Sequence, residues 1–179
     1  GLDIVSGGEL ARVLAAGGDA ARTLFSGVGK SEAEIDFALS RGIGCINLES
    51  EGELERVARI ARHRARRAPI ALRVNPDIDA RTHPYISTGL KHNKFGMDIS
   101  RAREIAETAR NAPGVRLTGI QAHIGSQITD AAPLGETARE LASLARELLA
   151  SGFPLETIDV GGGIGIAGPG GPGLSPEDY

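Results

Sequence analysis

The 179-residue chain carries 20 Lys and Arg against 23 Asp and Glu, a formal net charge of −3, with 41% hydrophobic residues. That balance excludes a basic nucleic-acid footprint and a membrane-seeking cationic surface, and it leaves enough apolar side chains for one packed domain. Trp is absent, no apolar run approaches the ~18 residues of a membrane span, and the single cysteine, Cys45, has no internal disulfide partner, which fits a reducing cytoplasm.

In chain order, short apolar runs alternate with helical patterns. The runs are "LDIVS" (2–6), "TLFSG" (23–27), "CINLES" (45–50), "IALRVNP" (70–76), "LTGIQAHIG" (117–125) and "TIDVGGG" (157–163). They show little strict alternation, as expected of strands buried on both faces of a parallel sheet. Leu54, Val57, Ala58 and Ala61 fall at helical spacing. So do Leu134, Thr137, Ala138, Leu141, Leu144, Ala145 and Leu148, and Gly152 follows as a C-cap. Ser6 with Glu9, Ser31 with Glu34 and Ser50 with Glu53 match the Ser-x-x-Glu capping box, and for the last two pairs capping alone is the expected role.

Repeated strand–helix units predict an α/β fold with a parallel sheet. No Gly-x-Gly-x-x-Gly follows the first run, which weakens a dinucleotide-binding sheet. A full (β/α)8 barrel needs about 250 residues, so about six units here predict a partial TIM barrel. Polar and glycine residues gather at the C-terminal ends of the runs, among them Ser6, Gly27, Glu49, Asn75, His123 and Gly161. Barrel active sites occupy that face.

Gly161, Gly162 and Gly163 let backbone N–H groups approach an anion, and a phosphate after a late strand suits a barrel as well as a tight turn does. His123 ends a strand and breaks into Gly-Ser-Gln. No ligand spacing links it to His63, His83 or His92, so a metal site is rejected. An imidazole there can serve as acid or base, or lie against a conjugated ring. Ser126 offers a hydroxyl to a phosphate. Arg73 lies inside an apolar strand, so it must be paired or point into a site. Asp3 and Glu9 flank the first run, with capping a strong alternative for Glu9. The irregular stretch "THPYISTGLKHNKFGM" (82–97) contains Lys91 and Lys94, either anion-binding or solvated.

The blocks "SGVGKS", "RVNPDIDARTHPYISTGLKHNKFG", "HIGSQI" and "DVGGGIGI" stand in an order and spacing that resemble the diaminopimelate decarboxylases, within the fold-type III pyridoxal-phosphate decarboxylases. The resemblance covers essentially the whole chain. It implies an alanine racemase-like barrel holding pyridoxal 5′-phosphate and removing CO2 from meso-2,6-diaminopimelate to give L-lysine. It implies that His123 stacks on the cofactor ring and that Ser126 and Gly161, Gly162 and Gly163 hold the phosphate. Arg73 would lie near the ring hydroxyl, with Asp3 and Glu9 bordering the site. It also implies an amino-acid substrate and a homodimer for the full-length protein.

The family's cofactor-binding lysine, in a segment like Tyr-Ala-x-Lys-Ala-Asn, has no match here, and Gly168 stands where many relatives carry Tyr. The chain is therefore expected to be the central part of the barrel domain, residues 1–179, without its first strand, last strand and C-terminal β domain, and inactive alone. The alternatives are a non-catalytic decarboxylase-like binding protein and a fold-type III decarboxylase of another amino acid.

Overall fold

In a computed structural model, residues 1–78, 95–168, 173–177 and 179 are described. His83, Lys91, His92 and Lys94, with most of the 82–97 stretch, lie outside the described residues.

The strands are β1 (Leu2–Ile4), β2 (Thr23–Phe25), β3 (Cys45–Leu48), β4 (Ala68–Asn75), β5 (Met97–Asp98), β6 (Val115–Gln121) and β7 (Thr157–Asp159). The sheet runs β1-β2-β3-β4-β6-β7, with the short β5 paired to β4, and every pairing is parallel. Helices α1 (Gly7–Ala15), α2 (Glu32–Ser40), α3 (Glu51–His63), α4 (Ala102–Asn111) and α5 (Ala131–Ala150) make crossovers between strands. This is the expected partial (β/α)8 barrel.

Central strands β3, β4 and β6 are buried almost throughout, because helices cover one face and the barrel interior the other. The register makes the two faces explicit. Ile4, Phe25, Ile46, Leu48, Leu72 and Ile120 line up across the sheet and join the core under the helices. The alternate positions, Asp3, Leu24, Asn47, Ala71, Arg73, Gln121 and Asp159, therefore share the inner face. One irregularity interrupts this pattern. Ile70 pairs with Leu117 but Ala71 pairs with Gly119, so Thr118 is an extra residue in β6.

Serines cap the first three helices, with a difference from expectation. Ser31, at φ −73°, forms the complete box with Glu34. Ser6 and Ser50 are more extended, at φ −155° and −162°, which turns their own N–H groups away. Glu9 accepts instead from Val5 N–H at 2.6 Å, and Glu53 from Glu49 N–H at 2.8 Å, each one residue upstream of the cap. Nor is capping all that the other two do. Glu34 also accepts from Gly7 N–H at 2.9 Å, tying α2 to α1, and Glu53 pairs with Lys30. Asp130 caps α5, Pro133 sits in its first turn, and Gly152, at φ +79°, follows its end as expected.

Candidate active site

The inner face opens into a cavity of about 720 Å³, bordered by Asp3, Arg73, Gln121, His123, Asp159 and the start of the glycine loop. Strands β1, β2, β4, β6 and β7, or the residues just after them, supply its wall, and alternation puts Gln121 and His123 on the same side.

His123 is partly buried, and Gly162 N–H donates to its Nδ1 at 3.4 Å. That donor favours the neutral tautomer with the proton on Nε2. Burial, and then the nearby Arg73 cation, push its pKa below the ordinary 6.5, against smaller opposing effects of Asp159 and Glu49. The folded protein therefore holds the proton less tightly than the unfolded chain. The stability linked to His123 should be fully present above 6.5 and decline as pH falls from there toward the folded value. Chemical denaturation across this range, compared with His123→Gln, should show that slope in the wild type and its loss in the variant.

Asp3 accepts from Ser26 Oγ at 2.7 Å, and Ser26 in turn accepts from Asn47 Nδ2 at 2.9 Å. Burial, with Asp159 adding to it, raises the Asp3 pKa. Arg73 is buried and donates from Nη1 to Glu49 Oε1 at 2.7 Å, beneath the Phe95 ring at 5.5 Å. Its Nε and the Oε1 of its register partner Gln121 are buried without a hydrogen-bond partner among the described residues. An unmatched donor and acceptor beside a cavity are consistent with a site shaped for a polar ligand.

The glycine loop fits an anion cradle. Gly161 and Gly163 adopt φ +76° and +91°. A Cβ on Gly161 would stand 2.5 Å from Ala122 O, and one on Gly163 2.0 Å from Gly125 O. Gly163 also lies against Ser126, where Ile128 N–H donates to Gly163 O at 2.8 Å and joins the two loops. Two of the loop's amides are engaged: Gly161 N–H donates to Asp159 Oδ1 at 2.8 Å, and Gly162 N–H to His123.

Of the residues singled out in the sequence, Asp3, Arg73, His123, Gly161 and Gly162 border the cavity, whereas Gly163 and the exposed Ser126 pack against each other outside its lining. Glu9 does not: its carboxylate closes the start of α1 on Val5. Gln121 and Asp159 had no role assigned, although they occupy inner-face positions two residues before His123 and Gly161. Among the described residues, no group of three or more His, Cys, Asp or Glu is placed to hold a metal ion, and no helix is long and apolar enough to cross a membrane.

A parallel half-barrel with a histidine, a buried arginine and a glycine cradle at one end defines a class, and residues 1–173 match the model for "Pyridoxal-dependent decarboxylase, pyridoxal binding domain". The chain belongs to that family. Within it, the chain is 57% identical over 166 residues to diaminopimelate decarboxylase of Neisseria meningitidis serogroup B, covering 93% of this chain and 40% of that protein. It is 49% identical over 179 residues to the Haemophilus influenzae diaminopimelate decarboxylase, covering 100% of this chain and 43% of that one. The Helicobacter pylori diaminopimelate decarboxylase structure in complex with L-lysine superimposes with a TM-score of 0.95 at 44% identity, covering 99% of this chain and 45% of that chain. The chain thus spans less than half the length of these relatives. Lysine decarboxylase of Selenomonas ruminantium, at 21% identity and a TM-score of 0.82, shares the fold.

Proposed function

We propose that residues 1–179 form the central part of a barrel that holds pyridoxal 5′-phosphate in a diaminopimelate decarboxylase, which converts meso-2,6-diaminopimelate to L-lysine and CO2. The observation that carries this reading is the convergence of His123, Arg73, Gly161 and Gly162 on one cavity, in a chain 57% identical to a diaminopimelate decarboxylase over 93% of its length. His123, kept neutral, offers a flat face to the cofactor ring. Ser126 and the glycine loop hold the phosphate, Gly163 foremost, and Arg73 lies beside the ring hydroxyl. Asp3 borders the site and Glu9 does not enter it. Bound pyridoxal phosphate supplies an electron sink for the charge left on carbon when CO2 departs. The assembly proposed for the whole protein is a homodimer.

The lysine that binds the cofactor covalently is not Lys30, the only lysine among the described residues. Its ammonium is enclosed by Gly27 O, Asn47 O and Glu53, and it does not border the cavity. The test is CO2 release from meso-diaminopimelate, L-lysine and L-ornithine, measured on the intact protein and on the 179-residue chain. Release from meso-diaminopimelate by the intact protein alone is expected. Preference for another amino acid would replace the substrate, and release by the 179-residue chain would mean that one of its own lysines, Lys30, Lys91 or Lys94, binds the cofactor.

A further inference from the structure

Glu49 is buried just after β3, and its carboxylate accepts three hydrogen bonds from described residues. One oxygen takes Gly27 N–H at 3.0 Å and Arg73 Nη1 at 2.7 Å, and the other takes Gly96 N–H at 3.0 Å. Arg73 is enclosed from other sides as well. The Phe95 ring lies over its guanidinium, and Gly96, at φ +77°, packs so closely that a Cβ there would meet Arg73 O at 3.2 Å and Arg73 Cγ at 3.3 Å. One carboxylate thus ties the turn after β2, the cation on β4 and the segment before β5.

We infer that Glu49 is a positioning residue: it fixes the Arg73 guanidinium in one orientation at the cavity wall, so that this cation is set before any ligand enters. Arg73 has five N–H donors in a planar fork, so its directional value depends on the plane being held. A carboxylate on one edge and an aromatic face above define that plane. Glu49 does not border the cavity, and its effect passes through Arg73. The value of that effect for catalysis rests on the cofactor reading above, whereas the orientation itself does not.

The first readout therefore uses the intact protein without cofactor. The Arg73 guanidinium is followed by 15N-resolved NMR, which reports Nε–H exchange with water and rotation about the Nε–Cζ bond. In the wild type a protected Nε–H and slow rotation are expected. Glu49→Gln, which keeps the shape and removes the charge, should accelerate both while the backbone amide spectrum elsewhere is retained. Glu49→Asp keeps the charge but is one methylene short of three partners, and should give an intermediate acceleration. A freely rotating Arg73 in the wild type, or an unchanged one in the folded variants, would overturn the inference.

The second readout is pyridoxal phosphate titration by absorbance, in which Glu49→Gln should weaken binding about tenfold. Equal affinity in wild type and variant would also overturn it. A wild type with no affinity would sink the cofactor reading, and the guanidinium measurement would still decide the role of Glu49.

Discussion

Replacing Lys30 by Met is expected to destabilise the fold by about 3–5 kcal/mol, because removing one partner of a buried ion pair strands the other. Lys30 is 2% exposed, and its ammonium satisfies Glu53 Oε1 at 3.0 Å, Gly27 O at 2.6 Å and Asn47 O at 2.8 Å. Methionine fills the space but leaves a buried carboxylate and two carbonyls without their donor. The double variant with Glu53→Met should lose less than the sum of the singles, since the stranded charge is gone. It should not recover fully, because Glu53 Oε2 also accepts from Glu49 N–H. Urea unfolding of the four proteins measures this, and strict additivity would show that the pair is not coupled.

Gly163→Ala is expected to damage ligand binding more than its size suggests. The backbone there, at φ +91°, holds a non-glycine residue only at a cost of about 1–3 kcal/mol. The added Cβ would also lie 2.0 Å from Gly125 O, so the loop carrying Ser126 must separate from the glycine loop. Pyridoxal phosphate affinity should fall at least about tenfold, or ~1.4 kcal/mol. Gly168→Ala, where no described residue lies within 4 Å of the new Cβ, is the control and should bind as the wild type does. Equal binding by Gly163→Ala would remove the glycine cradle from the phosphate site.

Much of this architecture was legible in the sequence, for identifiable reasons. All six apolar runs became strands of the parallel sheet, because central strands buried on both faces must be apolar throughout. Gly152 and the serine caps marked helix ends through local backbone demands that no tertiary contact overrides. His123, Arg73 and the glycine triplet stood out because each is costly or odd where it lies unless something faces it. Glu9 was misplaced because Ser-x-x-Glu is the same string whether its carboxylate faces a ligand or the start of a helix. Glu53 was read too narrowly for the converse reason: a capping residue can also be the partner of a buried lysine more than twenty positions away. Gln121 and Asp159 needed the knowledge of which face each strand turns inward, and composition does not carry that.

The extra residue at Thr118 explains why that knowledge was hidden in β6. Side chains on a strand behave like a two-beat rhythm, and one inserted beat reverses its phase. Before Thr118, Leu117 keeps step with Ile70 toward the helices; after it, Gly119 and Gln121 keep step with Ala71 and Arg73 toward the interior. Thr118 is held in place by its hydroxyl to Ile70 O at 3.2 Å and its carbonyl to Glu156 N–H at 2.7 Å. With an uninterrupted beat, Gln121 and then His123 would fall on the side of Leu117, among the helices. The chemistry at the mouth of the barrel is therefore timed by a single residue in the middle of the same strand.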